Sequence, residues 1–266
     1  MASVATLNSR IQYTGNEESV NWEGRVVDNT SGFKRYMREV VRPRIADAES
    51  HFVSELRGLA TTGMETEFVE CVLNAAPTSP KDWEVGEALA ECALRDDSDR
   101  QILWPWNNVR DRRTPRASLP GADLVGFCCE KEDVVLLFGE VKTSCDTKTP
   151  PGVMSGGSGM VWQLERSATC LDIQCELLRW LHARCRSQPY CDLYREAVKR
   201  YLASEGKELL LVGVLIRDTV PSGRDLTARG RALSKQLQDP IRTELIAWYL
   251  PVPISDWPAL VQGVAP

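Results

Sequence analysis

The stretch GADLVGFCCEKEDVVLLFGEVKTS, residues 121–144, constrains the fold more than any other part of this 266-residue chain. Residues 122–129 and 133–144 are each rich in β-formers and are separated by the charged turn EKED, a combination that predicts a hairpin. With the turn centred between Lys131 and Glu132, Asp123 falls opposite Glu140. Directly opposed residues share a sheet face, and so do residues two apart along one strand, so Asp123, Glu140 and Lys142 project from one side of an otherwise apolar sheet.

Two carboxylates brought together on such a face repel one another and lose hydration, so burying them without compensation is costly. A divalent cation supplies that compensation. Oxygen ligands from Asp and Glu suit Mg²⁺ or Mn²⁺, which keep several waters and bind phosphate oxygens beside one or two carboxylates. Lys142 beside such an ion is suited to orient a water or hydroxide and to stabilise charge developing on a phosphate. The chemistry to which this set points is metal-assisted phosphodiester hydrolysis.

The flanking sequence predicts an α/β fold, a mixed central β-sheet flanked by helices, behind a mostly helical N-terminal section over 1–76, with the main domain over 77–266. Residues 1 to about 30 are polar and predict a short strand or arm at most. Phe33, Met37, Val40 and Val41 recur at helical spacing before Pro43, which predicts a break or a new first turn, and a second helix carries Ile45, Phe52, Val53 and Leu56. METEFVECVLNAA reads as a third. Ser79, Pro80 and Asp82 form a helix-start pattern, so a helix is expected from Pro80 to about Arg95 with Ser79 as its cap. A long helix over about 160–186, another over about 192–204, a central strand in KELLLVGVLIRD, a helix over 225–238, a strand in RTELIAWYLPVPI and a short terminal helix complete the chain.

Composition narrows the class. No apolar run approaches a membrane span, and the first residues lack the basic start and apolar core of a signal peptide, so a cytoplasmic protein is expected. Nine cysteines at irregular spacing, without a C-x-x-C pair, predict free, mostly buried thiols; His182 and Cys185, near Cys175, are too sparse a set to predict a metal site. A net charge of −5 argues against a protein that grips nucleic acid over its whole surface. It leaves room for a local basic groove.

GADLVGF followed by LLFGEVKTS resembles the core of the PD-(D/E)XK nuclease superfamily, in which an acid begins one strand and E-x-K lies on the next. The resemblance implies Asp123 and Glu140 as metal ligands with the Val141 backbone carbonyl, Lys142 as the catalytic lysine, and Mg²⁺ or Mn²⁺ as cofactor. It further implies Glu87, in WEVGEALAE, as an acid supplied by the preceding helix, and Gln163, in WQLERS, as a catalytic group on the following one. The chain departs from the family at the proline, since Ala122 precedes Asp123 and Pro120 lies two further back. The bare motif recurs at Asp146-x-Lys148 and Glu205-x-Lys207, but neither has an opposing Asp on a paired strand. Within the superfamily, the W-x-x-G-E-A-L-A helix, GEVK and the final LPVPI are similar to the nuclease subunit of Hachiman-type bacterial antiphage systems (the HamA, DUF1837-like, family), which implies DNA as substrate and a helicase partner.

Each of these features also has a plainer reading. Glu87 and Glu91 fit two solvated acids flanking a core stripe as well as a metal role, and Gln163 fits a polar helix face. Arg110, Arg112, Arg113 and Arg116 are candidates for phosphate contacts, although a charged loop is commonly just solvated. Trp104 and Trp106 suit buried anchors better than base-stacking platforms, and the stretch from Gly152 to Gly159 suits a linker or a flap over the site. A nucleic-acid-binding scaffold with a vestigial nuclease fold, or a stand-alone restriction or repair nuclease, are the competing functional readings.

Overall fold

A computed structural model of the chain describes residues 5–46, 49–75, 79–96, 100–105, 121–131, 133–186, 189–237 and 239–263, with backbone only at 49–51. Its strands are β1 (Arg10–Glu17), β2 (Val20–Val26), β3 (Gln101–Leu103), β4 (Leu124–Glu130), β5 (Asp133–Ser144), β6 (Leu209–Arg217) and β7 (Arg242–Tyr249). They form one seven-stranded sheet in the order β1-β2-β7-β6-β5-β4-β3. β2, β7, β6 and β5 run parallel; β1 pairs antiparallel with β2, and β3 and β4 continue antiparallel from β5. The expected α/β class, a mixed sheet flanked by helices, is what the chain adopts.

Every residue of β6 is buried, which is why its sequence is almost continuously apolar rather than alternating. Helices cover both of its faces. On one side α1 (Thr30–Tyr36), α5 (Asp82–Arg95) and α10 (Trp257–Gln262) contribute Phe33, Leu89 and Trp257 to a core with Val141, Val212 and Ile246. On the other, α6 (Met160–Thr169), α7 (Leu171–Arg184) and α8 (Cys191–Ala203) contribute Leu164, Leu177 and Tyr201 to a core with Phe127, Phe138 and Leu211. α9 (Thr227–Ser234) packs on β2 from this same side.

Several elements differ from expectation. Residues 1 to about 30, expected to hold a short strand or arm at most, contain the β1–β2 hairpin: Val20, Trp22 and Val26 alternate inward with Asn21, Glu23 and Arg25, and β2 docks on β7. Pro43 takes the second of its two expected places, a new first turn: the chain passes through a π-helical turn, Met37–Val41, into α2 (Arg42–Ile45), where the proline occupies the first turn and its missing N–H costs nothing. α5 begins at Asp82 rather than Pro80, and Ser79 is not its cap; the Lys81 N–H at the cap position donates to the Glu84 carboxylate at 2.8 Å. The single long helix expected over 160–186 is two, broken at Cys170, whose backbone is extended. Gln174 compensates by donating from Nε2 to the carbonyls of Ser167 and Ala168, at 3.1 and 2.8 Å, and so takes up acceptors freed by the break.

Two more helices, α3 (Glu49–Leu59) and α4 (Gly63–Asn74), form a hairpin with no buried residue among the described side chains. Among the described residues, no helix is long and apolar enough to cross a membrane.

Candidate active site at the β4–β5 hairpin

The hairpin has the register expected from its sequence. Leu124 pairs with Gly139 and Glu130 with Asp133, and just ahead of β4 the Asp123 N–H donates to the Gly139 carbonyl at 2.8 Å. Asp123 therefore lies beside Glu140, and its Oδ2 accepts from the Val141 N–H at 2.9 Å. The backbone behind it is held from two sides. Gly121 adopts φ +100°, open to glycine at little cost, and a Cβ there would lie 2.4 Å from Ile173 Cγ2. Ser167 Oγ lies 2.9 Å from the Gly121 carbonyl, tying the start of β4 to α6.

Glu140 is the centre of the cluster. Its Oε1 lies 2.6 Å from Lys142 Nζ and accepts from Gln163 Nε2 at 2.8 Å, and its carboxyl also hydrogen-bonds that of Asp123. Burial pushes the Glu140 carboxyl up, to about 8; the charge of Asp123 adds to the shift and that of Lys142 opposes it. Glu140 is buried while Asp123 and Lys142 are half-buried, so the cluster opens towards solvent along those two residues.

A glycine allows the fourth group to arrive. On β6, the residue paired with Glu140 is Gly213, where a Cβ would lie 2.8 Å from Met160 Sδ and 2.9 Å from Leu164 Cδ1. With no side chain there, α6 sits close on the sheet, and Gln163 reaches Glu140.

The structure thus brings Asp123, Glu140, Lys142 and Gln163 together. Glu87 is half-buried on α5, a helix whose apolar residues pack on the opposite face of the sheet, with Gly86 close against Thr143. Glu91 is buried and ion-paired with Arg44. Trp104 is a buried anchor whose Nε1 donates to the Glu91 carbonyl at 2.9 Å. Arg110, Arg112, Arg113, Arg116 and Trp106 lie outside the described residues.

The donor set suits a hard divalent cation. Two carboxyl groups in hydrogen-bond contact, one of them disfavoured as an anion by burial and by its neighbour, lose that penalty when a cation neutralises both. Among the described residues, no three His, Cys, Asp or Glu side chains gather into a metal-binding group; the carboxyl groups the cluster itself offers are those of Asp123 and Glu140. Mg²⁺ commonly takes one or two carboxylates and completes its shell with water and phosphate oxygens.

Sequence reading missed the support at the far end of β5. Arg217 ends β6 fully buried, pairs with Asp225 at 2.6 Å, and donates from Nη2 to the carbonyls of Asp146 and Lys148, in the loop leaving β5. Tyr249 donates to Asp225 at 2.8 Å, and its hydroxyl lies 2.8 Å from that of Tyr13. The available signal was one arginine closing the otherwise apolar run LLLVGVLIR.

Compared with known proteins, the chain matches no family model and no curated protein.

Proposed function

We propose that the chain is a divalent-metal-dependent phosphodiesterase, a DNA nuclease of the PD-(D/E)XK kind. The observation that carries this reading is the convergence of Asp123, Glu140 and Lys142 on one sheet face, with Gln163 hydrogen-bonded to Glu140. The succession of helix α5, hairpin β4–β5 and helix α6 also supports it, being the context in which the resembling family carries these residues.

Asp123 and Glu140, with the Val141 carbonyl, would hold Mg²⁺ or Mn²⁺, which when bound supplies Lewis-acid polarisation of a phosphate oxygen and a more acidic water. Lys142 orients the attacking water and offsets negative charge gathering on the phosphate. Gln163 fixes the rotamer of Glu140, so that the carboxylate is preorganised. In this reading Glu87 acts from the helix on the other side of the sheet, and the arginines 110, 112, 113 and 116 bind phosphates.

The same resemblance supports a narrower role, the effector nuclease of a bacterial antiphage complex that receives DNA from a helicase. Nine free thiols, three of them exposed, support a reducing, cytoplasmic setting. Incubating wild type, Glu140→Gln and Lys142→Ala with duplex DNA, single-stranded DNA and RNA, in Mg²⁺, Mn²⁺ or EDTA, tests the chemistry. Metal-dependent cleavage by wild type alone is expected. Equal behaviour of all three proteins removes the enzyme reading in favour of a binding or scaffold subunit, and cutting at defined sites without a motor or ATP replaces the antiphage role with a stand-alone nuclease.

A further inference from the structure

The α3–α4 hairpin has no role in the site, yet it is a built element. Thr62 caps α4, with its Oγ1 accepting from the Glu65 N–H at 3.2 Å and the Glu65 carboxylate accepting from the Thr62 N–H at 2.9 Å. Arg57 on α3 grips Glu70 on α4 through two hydrogen bonds, at 2.7 and 3.0 Å. Among the described elements, the two helices pack closely only on each other.

A structured arm of this kind ordinarily turns its apolar residues inward. This one does so only in part. Val53, Leu56, Val69 and Leu73 are half-buried, while Phe52, Leu59, Met64, Phe68 and Val72 are 44% to 83% exposed. Met64, Phe68 and Val72 follow one another at four-residue spacing, so they form a single stripe along α4. With Phe52 and Leu59 they account for five of the eleven large apolar side chains that are exposed among the described residues. Isolated apolar side chains on a surface are ordinary, but a concentration on one element marks a contact surface.

Charge identifies the occupant. Residues 52–74 contain Glu55, Glu65, Glu67 and Glu70 against Arg57 alone, a surplus of three negative charges around the apolar stripe. A second copy would bring the same surplus against it, and nucleic acid or an anionic membrane would be repelled in the same way. We infer that the α3–α4 hairpin is a docking arm for a partner protein that presents an apolar helix or groove bordered by Lys and Arg. This inference stands apart from the nuclease reading, since none of its residues belongs to the site.

Two synthetic helical peptides with the same Leu/Phe stripe, one flanked by Lys and Arg and the other by Glu and Asp, probe the arm of the full-length chain by titration. The basic peptide is expected to bind at least about tenfold tighter, with an affinity that falls as salt rises. Met64→Ser combined with Phe68→Ser should abolish this binding, and Glu55→Lys combined with Glu67→Lys should remove the preference; these four side chains are exposed, so thermal melting stays unchanged. Equal binding of both peptides, no binding of either, or binding that survives both variants overturns the inference. So does a dimer in sedimentation that Phe68→Ser dissociates, which would make the occupant a second copy, or co-flotation with vesicles containing anionic lipid.

Discussion

Gln163 donates to Glu140 at 2.8 Å, joining the first helix after the hairpin to the acid at the centre of the site. The bond spans 23 residues of sequence and depends on α6 lying close against β6, which Gly213 permits. Removing the amide while leaving the fold intact, as in Gln163→Ala, should lower metal-dependent cleavage by about 10- to 100-fold, the usual effect of losing a group that orients a ligand. Steady-state kinetics with Mg²⁺ titrated at fixed DNA checks this; a variant as active as wild type contradicts an orienting role.

Lys142 acts on the reacting phosphate rather than on the fold in the proposed reaction. Lys142→Ala should therefore cost about 10²- to 10³-fold in single-turnover rate, the scale of losing one preorganised electrostatic contact. Metal binding, read by calorimetry, should persist, because both acids remain.

Gly213→Ala tests the packing that delivers α6. The added Cβ would meet Leu245 Cδ2 at 2.7 Å, Met160 Sδ at 2.8 Å and Leu164 Cδ1 at 2.9 Å. Each of these atoms ends a flexible side chain, but all three residues are fully buried and must shift together. A destabilisation of about 1–3 kcal/mol in urea unfolding is expected. Cleavage should fall in parallel, since the displacement carries Gln163 away from Glu140.

The pH dependence of stability follows from Glu140. Its carboxyl is pushed up from the ordinary 4.5 to about 8, chiefly by burial. Between those values the folded state keeps a proton that the unfolded chain has released, so this group makes the metal-free protein less stable as pH rises through the window. Glu140→Gln should flatten that part of the profile in urea unfolding measured from about pH 5 to about pH 8. Added Mg²⁺ should bind more tightly as pH rises over the same range, because binding displaces the proton. Wild type and variant with the same slope would contradict the assignment.

Arg217 and Asp225 form an ion pair without solvent exposure. Removing one partner leaves the other charge buried without its counter-ion, so Arg217→Met or Asp225→Leu should each cost about 3–5 kcal/mol. The double substitution should cost less than the two separately, which a double-mutant cycle on unfolding free energies measures.

The hairpin, its register and the shared face of Asp123, Glu140 and Lys142 were all readable from sequence, because strand alternation and a short turn are local rules that act within 22 residues. The central strand was readable too, since burial on both faces demands an unbroken apolar run. Tertiary structure alone decided the rest. That Gln163 meets Glu140 depends on a missing side chain at Gly213 on a different strand, and that Glu91 is consumed by Arg44 depends on how α2 crosses α5. Of the N-terminal strands, β2 gains its place by hydrogen-bonding β7, more than 200 residues away, with β1 added at its outer edge, and Arg217 is buried because Asp225 and two loop carbonyls surround it. Pairings of that span follow from which surfaces remain uncovered when the sheet assembles, and no periodicity within a single segment encodes them.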